Sequence, residues 1–123
     1  MALLKVDNLN PYLDDLIELL CDAVDSGDPI GFLPPMSESE AKAYWLAINA
    51  DLQDNVRQVL LVREDDKVVG SVQIAMSPKA NALHRCDVEK LMVHTQAREH
   101  GLGGMLMQGV ERVAASMQRQ LLM

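Results

Sequence analysis

Three of the four residues 101–104 are glycine, and they stand where the sequence changes its period. Before them, Cys86 to Val93 reads as a strand, with Asp87, Glu89, Leu91 and Val93 on one face and Val88, Lys90 and Met92 on the other. After them, Leu102, Leu106, Val110, Val113 and Met117 recur at helical spacing and mark the inner stripe of a long helix. A helix start leaves its first amides unpaired and carries partial positive charge, so a turn without side chains lets anionic oxygens reach those amides. The junction from Val93 through Arg98 to Gly104 therefore predicts an anion site, with Arg98 adding charge to it. The competing reading makes the glycines a device for tight packing against the strand. No Lys-Ser or Lys-Thr follows, so the junction is not a P-loop, and it lacks the GxGxxG of a dinucleotide fold.

The rest of the chain supplies a sheet and helices around this junction. Leu3, Leu4 and Val6 read as an edge strand. Leu13, Leu16, Ile17, Leu19, Leu20 and Val24 predict a first helix, with Asn10 as N-cap, Pro11 at its first position and an end near Ser26-Gly27. Residues 28–36 hold three prolines and a glycine, which makes a loop, yet Ile30, Phe32, Leu33 and Met36 are too apolar for plain exposure, so the loop lines something. Ser37 and Glu40 form a capping box ahead of a second helix carrying Ala43, Trp45, Leu46, Ile48 and Leu52. Val56–Val62 and Val68–Ile74 read as an antiparallel hairpin joined at Asp65-Asp66. Ser77 to Ala82 breaks the chain before the next strand, and Arg119 to Met123 looks like a strand just beginning. The expectation is an α/β (α+β) fold with one mixed sheet, element order β-α-α-β-β-β-α and a fifth strand barely started, as a single domain over residues 1–123.

Composition narrows the function. With 123 residues and 49% hydrophobic content the chain can bury one core. No apolar run approaches the roughly 18 residues needed to cross a bilayer, and the first residues lack a secretory pattern, so the expected location is the cytoplasm without membrane contact. Cys21 and Cys86 fit two buried free thiols; neither they nor His84, His94 and His100 have metal-ligand spacing, so no metal is expected. A net charge of −7 argues against nucleic acid as a partner. The charge is uneven, because residues 1–55 hold 11 acids against Lys5 and Lys42, whereas residues 85–123 hold five bases and four acids. The front suits a cation and the rear tolerates an anion, unless the acids only solvate helix faces.

Arg98-x-x-Gly101-x-Gly103, placed directly after Asp87-Val88-Glu89-Lys90-Leu91-Met92-Val93, resembles the acyl-coenzyme A motif of the GNAT superfamily of N-acetyltransferases. From Gly31-Phe32 to Gly101-Leu102-Gly103 the chain further resembles the tabtoxin-resistance acetyltransferases of that superfamily, and the likeness spans residues 3–123. It implies acetyl-CoA as cosubstrate and no metal. In such enzymes the strand before the turn splays from its neighbour and its main chain pairs with the pantetheine arm and thioester carbonyl, which here means Leu91, Met92 and Val93. The turn amides from Arg98 through Glu99, His100, Gly101, Leu102 and Gly103 to Gly104 would hold the pyrophosphate. Two departures stand out: Glu99 replaces a common glycine, and Gly104 a common Arg or Lys. Each weakens cofactor binding by about 1 kcal/mol, the size of one screened charge contact.

An acceptor amine must lose a proton before it attacks. The resemblance places Asp87 where a catalytic Glu often stands, with Glu89 on the same face; both could take that proton through water, or could equally be surface acids or partners for Lys90 and Arg85. Phe32, Leu33 and Tyr44 fall on the acceptor side, while Trp45, the only tryptophan, suits the core. The implied acceptor is a small cationic or amino-acid-like amine, an antibiotic or toxin among them. The family's fold continues past residue 123, so the resemblance implies a C-terminally incomplete domain. The alternative function is then a weakly active or inactive remnant that binds CoA or self-associates, with the unpaired edge of the fourth strand open to a second copy.

Overall fold

The computed structural model describes residues 2–27, 31–54, 56–76, 85–116 and 120–122. Its elements are β1 (Ala2–Val6), α1 (Leu13–Asp25), α2 (Glu38–Gln53), β2 (Arg57–Glu64), β3 (Lys67–Met76), β4 (Arg85–Val93), α3 (Leu102–Ser116) and β5 (Gln120–Leu122). The strands form one sheet in the order β1-β2-β3-β4-β5, antiparallel as far as β4 and parallel between β4 and β5. The expected element order is the observed one. Asp28 to Ile30 of the proline loop, the break at Ser77–Ala82, His84, Met117, Arg119 and Met123 lie outside the described residues.

Local chemistry explains the boundaries. Asp65 and Asp66, at φ 52° and 64°, make the two-residue hairpin turn, a left-handed pair that short polar side chains tolerate. Ser37 Oγ accepts from the Glu40 amide at 3.1 Å and so caps α2. The first helix starts differently from expectation. Asn10 and Pro11 lie in a single 3-10 turn, Asn10–Tyr12, and α1 has Tyr12 at its N-cap with no side-chain cap. Asp14 and Asp15 in its first turn complement the exposed amides instead.

Two cores flank the sheet. On one face α1 and α2 bury Leu16, Leu20, Trp45 and Ile48 against Val59, Leu61 and Met92. Trp45 is fully buried and its indole N–H donates to Leu16 O at 2.8 Å. Cys21 is a free thiol, only half-buried; burial and the nearby Asp25, Glu38 and Glu40 push it up, which keeps it protonated. The side chain of Cys86 lies outside the described ones. On the other face α3 packs Leu102, Leu106 and Val110 onto Leu60, Val62, Val72 and Ile74. That helix sits close at two glycines. A Cβ at Gly109 would lie 2.8 Å from Leu3 Cδ2, and one at Gly70 would lie 3.2 Å from Leu106 Cδ1 and 3.3 Å from Met92 O.

β4 is not a regular strand. Gln73 faces Glu89 and Ser71 faces Met92, so Val72 opposes two residues, Lys90 and Leu91, with Lys90 at φ 56°. This bulge inverts the alternation. Val88 and Val93 both pack on the α3 side, whereas Met92 packs with α1 and α2. The expected common face of Asp87, Glu89, Leu91 and Val93 therefore breaks between Glu89 and Leu91.

Candidate active site

β5 pairs with the start of β4. Their pairing joins Arg85 to Gln120, Cys86 to Leu121 and Asp87 to Leu122, so Val88–Val93 have no β5 partner among the described residues. Beyond Val93, His94 N donates to Val69 O at 2.7 Å and the chain enters a 3-10 turn, Thr95–His100. Gly101 follows at φ +72°, a left-handed position that favours glycine, and Met105 N closes the first helical ring on Gly101 O at 3.2 Å. At Gly103 and Gly104 an added Cβ would meet nothing within 4 Å. Packing therefore does not require these two glycines, and the start of α3 carries no side chain there. Leu102 and Ala97 hold the turn down by burial in the α3-side core. Arg98 is directed differently from expectation: its Nε donates to Val93 O and its Nη2 to Ser26 Oγ, both at 3.1 Å, which ties the turn to the end of α1. The side chains of Glu99 and His100 lie outside the described ones.

On the α1/α2 face a polar chain runs across three strands. Arg57 Nη1 donates to Glu89 Oε2 at 2.9 Å and to Gln73 Oε1 at 2.9 Å, and its Nε donates to Asp51 Oδ2 at 3.3 Å. Gln73, fully buried, donates onward to the Tyr44 hydroxyl at 2.8 Å. Burial alone would lower the Arg57 pKa, but its bonds and charge contacts with Glu89 and Asp51 outweigh that and hold it above the usual value. Burial pushes the Tyr44 hydroxyl up, so it remains a neutral donor and acceptor. Tyr44 stacks edge-on with Phe32 at 5.4 Å and with Trp45 at 5.1 Å, and Lys90 Nζ stands 5.5 Å from the centre of the Phe32 ring.

These features join an open helix start to a strand with a free edge. A model of the acetyltransferase (GNAT) family matches residues 13–122. The chain belongs to that family. Among solved structures, ribosomal-protein-alanine N-acetyltransferase from Brucella melitensis superposes with a TM-score of 0.74 at 18% identity, over 98% of this chain and 72% of that one. An aminoglycoside 6'-N-acetyltransferase complexed with coenzyme A gives 0.67 at 19% identity, over 95% and 57%. An aminoglycoside acetyltransferase from an uncultured soil metagenomic sample, in complex with sisomicin, gives 0.71 at 15% identity, over 99% and 74%.

In this GNAT chain no side chain at Gly103 or Gly104 stands in the way of an anion, such as a coenzyme A diphosphate, at the start of α3. Of the three residues expected on the acceptor side, the structure brings Phe32 and Tyr44 together, whereas Leu33 is 89% exposed. Asp87 and Glu89 share the α1/α2 face as expected, in rows that continue to Arg57 and Val59 on β2. Glu89 pairs with Arg57, a partner its sequence neighbours did not suggest. Sequence reading missed Arg57, Asp51 and Gln73. The available signal was Gln73, one amide in the apolar run Val68–Ile74, because a polar side chain in a buried strand needs partners.

The acidic front half is also partly explained. Asp15 Oδ2 accepts from the Val68 amide at 3.0 Å, Glu18 pairs with Lys67, and Asp51 pairs with Arg57. These acids fasten helices to the sheet rather than only solvating a face. Among the described residues no group of His, Cys, Asp and Glu is placed to hold a metal ion, and no helix is long and apolar enough to cross a membrane.

Proposed function

We propose that this GNAT acetyltransferase moves an acetyl group from acetyl-CoA to the amine of a small cationic or amino-acid-like molecule, by direct attack of the amine on the thioester. The observation that carries this reading is the side-chain-free start of α3 directly after β4, where a Cβ at Gly103 or Gly104 would meet nothing within 4 Å. Acetyl-CoA, when bound, supplies a thioester as the activated acetyl donor, with CoA leaving as the thiol. The turn amides from Arg98 to Gly104 bind its diphosphate, and the main chain of Leu91, Met92 and Val93 orients the arm. An amide aimed at the thioester oxygen gains strength as that oxygen becomes negative, worth roughly 3 to 4 kcal/mol for one good donor. Asp87, exposed on the acceptor face, takes the amine proton through water, and Glu89, held by Arg57, adds negative charge beside that path.

Phe32 and Tyr44 form the apolar wall for the acceptor. Two structural neighbours carry names of aminoglycoside acetyltransferases, which favours a polyamine-like acceptor, and the tabtoxin-resistance resemblance adds small amino-acid-like toxins. A cytoplasmic location belongs to the same reading. Calorimetric titration with acetyl-CoA, followed by free-thiol release across an amine panel, tests it. Binding with amine-dependent thiol release is expected; binding without release from any amine would replace the enzyme with a CoA-binding remnant, and no binding would overturn both.

A further inference from the structure

α1 grips the glycine turn through a residue that the proposed chemistry does not use. Asp22, in the last turns of α1, accepts from Thr95 twice: from its backbone N–H on Oδ2 at 2.8 Å and from its hydroxyl on Oδ1 at 2.7 Å. Thr95 is the first residue of the 3-10 turn that carries the chain to Gly101. Its neighbour His94 is 8% exposed and caps the same turn, with Nδ1 accepting from the Gln96 amide at 3.2 Å. That bond leaves the ring proton on Nε2, which lies 3.4 Å from Glu18 Oε2 and 3.8 Å from Asp22 Oδ1. Farther along, Ser26 Oγ accepts from Arg98 Nη2. The turn is thus pinned to the C-terminal end of α1 at both Thr95 and Arg98.

We infer that Asp22 is a positioning residue for the diphosphate-binding amides, fixing their turn through Thr95. This inference rests on the acetyl-CoA reading. A carboxylate on the turn that leads into an anion site repels the anion, so on charge alone its removal would tighten acetyl-CoA binding. A carboxylate that holds the turn by two short hydrogen bonds predicts the opposite, because losing them frees the Thr95 amide and lets the following amides lose their common aim. The two effects differ in sign, and the hydrogen-bond effect is the larger where the bonds are short and the side chain is 19% exposed.

The test is calorimetric binding of acetyl-CoA and of S-acetylpantetheine, which keeps the thioester arm but has no diphosphate, to wild type, Asp22→Ala, Asp22→Asn and Thr95→Val. Asp22→Ala weakens acetyl-CoA about tenfold, the equivalent of one charge-assisted bond, and leaves S-acetylpantetheine unchanged. Asp22→Asn binds acetyl-CoA at least as tightly as wild type, since its amide can accept from the Thr95 N–H and donate to a turned hydroxyl while the repelling charge is gone. Thr95→Val, which removes only the hydroxyl bond and serves if Asp22→Ala folds poorly, weakens acetyl-CoA about threefold, selectively. Unchanged or tighter acetyl-CoA binding by Asp22→Ala overturns the inference, as do equal losses for both ligands, which mark general support of the fold. Wild type that binds both ligands equally well overturns the diphosphate site itself, and is told apart because it needs no variant.

Discussion

Arg57 on β2 reaches over β3 to hold Glu89 on β4 at 2.9 Å, with the same Nη1 donating to the buried Gln73 between them. The guanidinium is 17% exposed, so it fastens the α1/α2 face of the sheet while remaining close to water on the Glu89 side, which is 40% exposed. Its fork of donors meets three acceptors at once, a geometry that an ammonium cannot copy.

Replacing Arg57 by Met leaves Gln73 Oε1 without its donor in a buried site and two carboxylates without their cation. The expected loss is about 1 to 3 kcal/mol, at the lower end because Glu89 and Asp51 are partly exposed. Arg57→Lys loses less but does not recover wild type. The check is the urea midpoint of the three proteins; equal midpoints would remove the network from the stability of the fold.

Tyr44 gives a pH signature. Its hydroxyl is raised above 10.0, first by burial, so the folded state binds its proton more tightly than the unfolded state. A raised pKa gives a contribution that is complete below the unfolded value near 10 and is lost as pH climbs through the folded value. Stability therefore falls in that alkaline window, and the fall is smaller in Tyr44→Phe, although that variant starts lower because Gln73 Nε2 loses an acceptor. Denaturation midpoints between neutral pH and pH about 11 decide it.

The proposed function gives proton removal to the β4 carboxylates. The pair of changes Asp87→Asn and Glu89→Gln lowers turnover several-fold at neutral pH in the amine-dependent thiol assay, with acetyl-CoA affinity kept. Glu89→Gln alone acts through Arg57 and so also shifts stability, whereas Asp87→Asn alone, at an exposed side chain, shifts only the rate. Unaltered turnover in the double variant takes both residues out of the mechanism.

The element order was legible in the sequence because each element follows its own period, and Gly101 was legible because the turn comes directly after a strand. The face of β4 beyond Glu89 was not. The bulge sits at Lys90, whose side chain gives no sign of a positive φ, and the extra residue is set by pairing with Val72 on another strand. The packing glycines were hidden for a related reason: Gly109 meets Leu3 and Leu60, and Gly70 meets Leu106, partners supplied only by the folded sheet. The resemblance put Phe32, Leu33 and Tyr44 on one side without predicting the contact of Phe32 with Tyr44, and Leu33, next to Phe32, faces solvent.

Gly104 separates binding from packing. Gly104→Lys adds a side chain into open space, restores the cation that the family often carries there, and tightens acetyl-CoA by about 1 kcal/mol, roughly fivefold. Gly109→Ala does the reverse kind of thing: its Cβ would lie 2.8 Å from Leu3 Cδ2, so overpacking costs about 1 to 3 kcal/mol of stability, less what alanine returns as a helix former. Calorimetry and thermal melting of the two variants should give a binding change without a stability loss for Gly104→Lys and a stability loss for Gly109→Ala.

The free edge of β4 makes the last prediction. From Val88 to Met92 it has no β5 partner among the described residues, while Val93 O accepts from Arg98 Nε, and Leu91 on it is 40% exposed. Unpaired strand edges recruit other strands unless something covers them, and here the proposed occupant of that edge is the arm of acetyl-CoA. A second copy and the cofactor then compete for one row of backbone groups. Light scattering during size exclusion should show an oligomer at micromolar concentration without ligand, shifting toward monomer as acetyl-CoA is added. A monomer in both conditions would remove the edge as an assembly surface, and an oligomer indifferent to acetyl-CoA would place the contact elsewhere on the sheet.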